Sequence, residues 1–282
     1  LLKHADAAMY DAKRRQGGGA SVYQAHMEQT SGERLELEQG LHRALERGEF
    51  VLHYQVQVEL GAGRPVGLEA LLRWQHPERG LVAPGVFMDL LESTGLVVPG
   101  GEWVIAEACR QMRAWGEGHG LDLPVSVNLS PRHLVAAGLE ETLAGALGAQ
   151  DLDPRRLRLE LTETALVQDF QHAAQVVQRL RDMGVGLHMD DFGTGYSSLG
   201  MLRGLPFDVV KVDRGFVHDL ESNADSQALA RAAIAMAHSL DKQAIAEGVE
   251  TEAQRGLLAG FHCDAAQGWL FGRALPASQV PG

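Results

Sequence analysis

Two cysteines in 282 residues, Cys109 and Cys263, are too few for a disulfide framework and stand at no zinc-binding spacing. A reducing, cytoplasmic compartment is therefore expected. No apolar run reaches membrane-spanning length, so no membrane contact is expected of this segment. Cations are also scarce, with Lys+Arg 25 against Asp+Glu 37 and a formal net charge of -12. That balance argues against a surface that coats DNA or RNA, and an anionic substrate would need a metal or local cations. The 12 histidines contain no His-Glu-x-x-His pattern. An initiator methionine and a signal peptide are missing too, which points to a part of a longer chain that is free to carry a membrane anchor elsewhere.

What is present centres on Leu187-His188-Met189-Asp190-Asp191-Phe192-Gly193-Thr194-Gly195-Tyr196-Ser197-Ser198-Leu199, where an apolar run meets two adjacent acids and a glycine-spaced loop. Neighbouring side chains on a regular strand face opposite ways, so both acids can serve one site only where the strand gives way to a turn. At 45% hydrophobic, the chain suits one large domain, and a (β/α)8 barrel takes about 250 residues.

Leu2, Ala5, Met9 and Ala12 recur at helical spacing over residues 1–15, and Gly17-Gly18-Gly19 stops that helix. A second helix is expected over Glu33 to Arg47. Phe50 to Val58 and Val66 to Trp74 read as strands whose link is too short for a parallel crossover, so they should be antiparallel. Six more strands are expected near Val125 to Ser130, Leu157 to Glu163, Gly186 to Asp191, Asp208 to Asp213, Gln243 to Val249 and Phe261 to Gln267. Helical patterns such as Ala173-Val176-Val177-Leu180 and Leu229-Ala232-Ala233-Met236 lie between them. The expected fold class is α/β, a variant (β/α)8 TIM barrel with one antiparallel strand.

Polar residues fall at or near the carboxyl ends of these strands, where barrel enzymes keep their active sites. In order they are Gln55, Glu69 with Arg73, Asn128, Glu160 followed by Glu163, Asp190 with Asp191, Lys211, Glu247 and Gln267. Alternation sends Leu157, Leu159 and Leu161 to one face and Glu160 to the other, into the lumen. Two carboxylates about 4 Å apart repel by roughly 4 kcal/mol at an effective dielectric of 20. Gathering Glu69, Glu160, Asp190, Asp191 and Glu247 thus needs more positive charge than one Lys and one Arg bring. Oxygen ligands alone favour Mg2+ or Mn2+ over zinc, and two such ions suit phosphate-ester cleavage. Ca2+, with looser geometry, is expected to inhibit by supporting binding without cleavage.

Glu69-Ala70-Leu71-Leu72-Arg73-Trp74, Val127-Asn128-Leu129-Ser130, Glu160-Leu161-Thr162-Glu163, Asp190-Asp191-Phe192-Gly193-Thr194-Gly195, Lys211-Val212-Asp213, Glu247-Gly248-Val249-Glu250 and Gln267-Gly268-Trp269 together resemble an EAL domain over about residues 33 to 276. The resemblance implies a cyclic di-GMP phosphodiesterase that opens its substrate to linear pGpG on a variant barrel with two divalent metals. It implies that Glu69, Asn128, Glu160 and Asp190 hold one ion, and that Asp190 bridges to a second held with Asp191 and Glu247. Lys211 would hold and help activate the attacking water, and Glu163 would anchor the loop from Asp191 to Leu199. Lys211, Glu69, Glu247 and Glu163 are thus the expected catalytic set. Gln55, Arg73, Gln267 and Glu250 take substrate-side positions, with Gln267 also matching a water-orienting or second-metal position. Val56, Gly215 and Trp269 depart from the usual family residues. The alternative is a receptor that binds cyclic di-GMP without cutting it. Residues 1–25, with Ala5-Asp6-Ala7-Ala8-Met9-Tyr10, resemble the C-terminal tail of a GGDEF domain, which implies an attached GGDEF-like domain ahead of a barrel over residues 33–282. The resemblance also admits a homodimer.

Overall fold

The computed structural model describes residues 25–167, 170–193 and 204–280. The helix expected over residues 1–15, with its GGDEF-like wording, and residues 194–199 of the acidic loop lie outside the described residues. The chain divides into two compact units, one of Leu1–Phe50 with Trp74–Leu96 and the other of Val51–Arg73 with Val97–Gly282.

Ten strands form one sheet: β1 (Phe50–Glu59), β2 (Pro65–His76), β3 (Gly80–Val82), β4 (Val125–Asn128), β5 (Leu157–Thr162), β6 (Gly186–Phe192), β7 (Val209–Val212), β8 (Gln243–Ala246), β9 (Ala265–Gln267) and β10 (Leu275–Pro276). Eight of them follow the order β1-β9-β8-β7-β6-β5-β4-β2 and close through a β1–β2 pairing. Every neighbour pair from β2 round to β9 is parallel, whereas β1 runs antiparallel to β9. The one reversed strand is the one that the short link after Glu59 required.

In the larger unit the outward faces of the strands are apolar. Leu157, Leu159 and Leu161 of β5 and Val210 and Val212 of β7 are fully buried in one core with the surrounding helices. Inside, Val209, Ile245 and Ala265 form a small apolar cluster. Two residues further along the chain from each come Lys211, Glu247 and Gln267, so one pleat period separates an apolar floor from a polar mouth.

The boundaries differ from expectation in ways that have local causes. Phe261 caps the helix Glu252–Gly260 and His262 takes φ +64°, so the strand begins at Ala265 rather than Phe261. The β4 strand stops at Asn128, because Ser130 accepts from the His133 backbone and caps the helix Pro131–Leu134. The β8 strand ends at Ala246, which leaves Glu247 just past it. In the helix Ala224–Ser239 the buried face is Ala230, Ala233, Ile234 and Ala237, while Leu229 is 53% exposed. Four small or branched side chains let that helix approach β7 and β8 closely, so the true stripe is not the one the larger residues suggested.

The smaller unit holds the helix Ala25–Arg47, which starts earlier than the expected Glu33, the end of β2 paired with β3, and the helix Pro84–Thr94. Its centre is Trp74, fully buried, with its indole Nε1 donating to Glu49 Oε2 at 3.0 Å and its ring edge-on to Phe87. Gly40 makes room for it, since a Cβ there would lie 2.8 Å from the indole.

Candidate functional site

Strand register in the larger unit sets the site. Asn128 of β4 stands opposite Glu160 of β5, Glu160 opposite His188 of β6, and Gln57 of β1 opposite Gln267 of β9. These lumen positions converge on Lys211, whose side chain is fully buried. Its Nζ donates to Glu160 Oε2 and to Glu69 Oε2 at 3.5 Å, and forms ion pairs with Glu247 at 2.5 Å and Asp190 at 3.2 Å. An ammonium has three N–H donors, so four carboxylates compete for one cation.

The second acid of the central stretch arrives by a device that the alternation did not show. The β6 strand continues through Asp191 to Phe192, and its register against β7 shifts between Met189 and Phe192. Asp191 takes φ +53°, a left-handed conformation that Asp adopts more readily than most residues. A bulge of this kind re-aims one side chain, so Asp190 and Asp191 serve the same side without the strand ending. Asp190, Asp191 and Glu247 each offer a carboxylate oxygen within 4.8 Å of the others.

Hydrogen bonds order the opposite wall. Asn128 Nδ2 donates to Glu69 Oε1 at 2.8 Å, and Gln267 Nε2 donates to Glu69 Oε2 at 2.6 Å and to Gln55 Oε1 at 3.1 Å. Gln57 Nε2 in turn donates to Gln267 Oε1 at 3.1 Å, and Gln55 Nε2 to the Gly272 carbonyl at 2.8 Å. Arg73, half-buried, turns its guanidinium to the Leu72 carbonyl. Glu163 is buried at the first position of the helix Glu163–Val167, just past β5.

The charge balance shows in the acid strengths. Burial raises Glu160, as does the nearby Glu69 carboxylate, and Lys211 offsets only part of this, so its pKa sits well above the carboxylate range. Burial likewise lifts Glu247 and, with Asp190 beside it, Asp191. Burial works on Glu69 too, but Lys211 and the hydrogen bonds from Gln267 and Asn128 outweigh it and hold its pKa low. Burial tends to lower Lys211, and four carboxylates more than reverse that, so it stays protonated.

Whether divalent cations fit can be judged from the donors. They are all oxygens, apart from the lysine, and Glu160 Oε1 is buried with no hydrogen bond to accept. Buried carboxylate oxygens without donors are costly unless a cation meets them. Glu69, Asn128, Glu160, Asp190, Asp191 and Glu247 therefore suit Mg2+ or Mn2+.

A cleft of about 610 Å³ opens over these groups, lined by Gln55, Glu69, Asp190, Glu247, Glu250 and Gln267. It is also lined by Arg214, His218 and Trp269, which the strand-end reading gave no role. Gln57 and His188 went unmarked as well, although each lies two residues from a marked position, on the same face of its strand. His188 is buried, with Nδ1 3.6 Å from Glu160 Oε1.

A TIM-type barrel with one reversed strand is the architecture that the sequence motifs anticipated. The family profile for the EAL domain matches residues 38–274, and the chain belongs to that family. MucR of Pseudomonas aeruginosa, named a bifunctional diguanylate cyclase/cyclic di-GMP phosphodiesterase, is 45% identical over 280 residues, covering 99% of this chain and 41% of MucR. PdeR of Escherichia coli, named a cyclic di-GMP phosphodiesterase, is 40% identical over 277 residues, covering 98% of this chain and 42% of PdeR. The chain thus spans less than half the length of these relatives. Among solved structures, a PaMucR phosphodiesterase in complex with c-di-GMP superposes with a TM-score of 0.84 at 46% identity, covering 87% of this chain and 99% of that one. The FimX EAL domain of P. aeruginosa bound to c-di-GMP gives a TM-score of 0.77 at 26% identity, covering 83% and 94%.

Proposed function

We propose that this chain hydrolyses cyclic di-GMP to linear pGpG in a reaction that depends on two Mg2+ or Mn2+ ions. One observation carries the reading: Glu69, Glu160, Asp190 and Glu247 gather round one protonated lysine at the mouth of a phosphodiesterase-family barrel, with Asn128 bonded to Glu69 and Asp191 beside Asp190 and Glu247. Glu69, Asn128, Glu160 and Asp190 would hold one ion, and Asp190, Asp191 and Glu247 the second. Bound there, such ions supply charge neutralisation and a water acidic enough to attack a phosphodiester at neutral pH. The chain's own groups do the rest. Lys211, too basic to act as a proton acceptor, would donate to a water beside Glu69 and Asp190 once bound ions draw off carboxylates that now compete for its three donors. Gln267, fixed between Gln55, Gln57 and Glu69, presents an oriented amide, and Gln55, Arg73 and Glu250 are assigned to the substrate. Glu163 is assigned to anchoring the segment after Asp191.

The names of MucR and PdeR support this activity, and the complete ligand set speaks against a receptor that binds without cutting. An attached GGDEF-like domain, a cytoplasmic site of action and a homodimer belong to the same proposal. The test is an assay of the purified chain for pGpG with Mg2+ or Mn2+ and with EDTA. Metal-dependent pGpG formation is expected. Tight binding of cyclic di-GMP with no pGpG at any metal concentration would overturn the enzyme reading in favour of the receptor.

A further inference from the structure

His188 faces the barrel lumen from β6, two residues before Asp190, and is buried. Beside it on β7 stands Val209, which with Ile245 and Ala265 forms the apolar floor beneath the acidic mouth. An apolar side chain there needs no partner, whereas an imidazole brings two nitrogens that do. Its Nδ1 is buried without a hydrogen bond among the described residues, and so is Glu160 Oε1, 3.6 Å away at the paired position of β5. Two polar atoms facing each other at that separation are too close for a water to stand between them. Arg158 shuts the lumen below. Its stem crosses Gly186, where a Cβ would lie 2.9 Å from Arg158 Cγ, and its Nη1 reaches Gly67, where a Cβ would lie 2.7 Å away.

Glu160 is held at its other oxygen, where Oε2 accepts from Lys211. Lys211 has three donors for four carboxylates, so its hold on each is shared. An N–H···O bond needs a separation of about 3.2 Å or less, so a movement of about 0.4 Å joins the imidazole to Oε1. We propose that His188 is a positioning residue for Glu160: its Nδ1–H donates to Oε1 from the lumen floor and fixes the plane of the carboxylate, an inference that rests on the metal-dependent reading above. A carboxylate oxygen has two lone pairs, so a bond from below leaves one for an ion at the mouth. Such a group sets metal affinity through the ligand it orients.

Losing a partner of this kind typically costs about 10- to 100-fold in metal affinity. In a calorimetric Mn2+ titration, His188→Leu, which fills the space without a donor, is expected to lose about that much at the site built on Glu160. His188→Asn, whose amide nitrogen takes the place of Nδ1, should recover most of it although the side chain is smaller. A residue that only packs the lumen would give the reverse order, with His188→Leu the better binder. Melting temperatures in EDTA check that both variants fold. The wild type supplies an independent measurement. With Mg2+ bound, NMR of nitrogen-labelled histidine should show a proton on Nδ1 of His188, identified by the signal missing from either variant. Wild-type Mn2+ affinity in His188→Leu, a folded His188→Asn that binds no better than His188→Leu, or a bare Nδ1 in the wild type would overturn the inference while the metal site stands. A wild-type chain that binds no Mn2+ would overturn the metal-dependent reading and this inference with it.

Discussion

Replacing Lys211 by methionine keeps the length and the apolar stem and removes the cation round which Glu69, Glu160, Asp190 and Glu247 are gathered. Breaking a buried ion pair by deleting one partner typically costs about 3–5 kcal/mol. For a chain of this size each kcal/mol lowers the melting temperature by about 2–4 °C, so a fall of about 6–20 °C is expected in EDTA. Carboxylates left without the lysine take up protons, which trims the loss towards the lower end below neutral pH. Divalent metal should reverse most of it, because an ion present at about 1,000 times its Kd contributes about 4 kcal/mol. The variant is therefore expected to melt far below wild type in EDTA, close to wild type in saturating Mn2+, and to cleave slowly while binding metal at least as well. Glu69→Ala, which removes a ligand instead of a competing cation, should show the opposite pattern of weakened metal binding. Differential scanning fluorimetry with and without Mn2+, paired with calorimetric metal titration, separates the two. Equal melting temperatures in EDTA, or the same metal loss in both variants, would refute the reasoning.

Other perturbations address the remaining parts of the site. Ca2+ should support binding of cyclic di-GMP without cleavage, and equal pGpG formation in Ca2+ and Mg2+ would contradict the geometric argument. Glu163→Gln should weaken occupancy of the metal site nearer Asp191 about 10- to 100-fold while the Glu69 and Asn128 side keeps its affinity, as a Mn2+ titration would show. Gly268→Ala forces a methyl into the Val249 backbone and should destabilise the fold by about 1–3 kcal/mol or more, read as a lower denaturation midpoint, with substrate affinity falling alongside.

The barrel was legible because each of its strands obeys a simple rule. Leu157, Leu159 and Leu161 against Arg158 and Glu160 could be sorted to two faces by alternation alone, and the five residues after Glu59 were too few for a crossover. Where the rule depends on packing, the letters misled. Leu229 looked like a core residue because leucine usually is, yet the helix presents Ala230, Ala233 and Ala237 to the barrel, since small side chains permit the closest approach. Phe261 and His262 looked like strand residues, and the backbone instead turned left-handed at His262 to leave a helix. Short strands such as β3 and β10 exist only through their partners and carry no periodicity to read.

The pair Asp190 and Asp191 shows where reading by alternation stops. Two adjacent acids on one site contradict a regular strand; the sequence reading allowed only an end to the strand, and a bulge within it is the second way out. The structure takes the second, with hydrogen-bonded strand resuming at Phe192. A strand end would leave Asp191 on a segment with no partner to hold it, whereas a bulge fixes it between two paired positions. Its left-handed backbone is strained for most side chains and mild for Asp, whose short carboxyl group tolerates that region. The identity of the residue is thus set twice, by the oxygen ligand the site needs and by the conformation that brings it there. Glutamate at position 191 would keep the charge and lose both the fit to the backbone and the reach. In that sense the bulge, more than the acid itself, is what brings Asp190 and Asp191 into one acidic cluster with Glu247 at the end of β6.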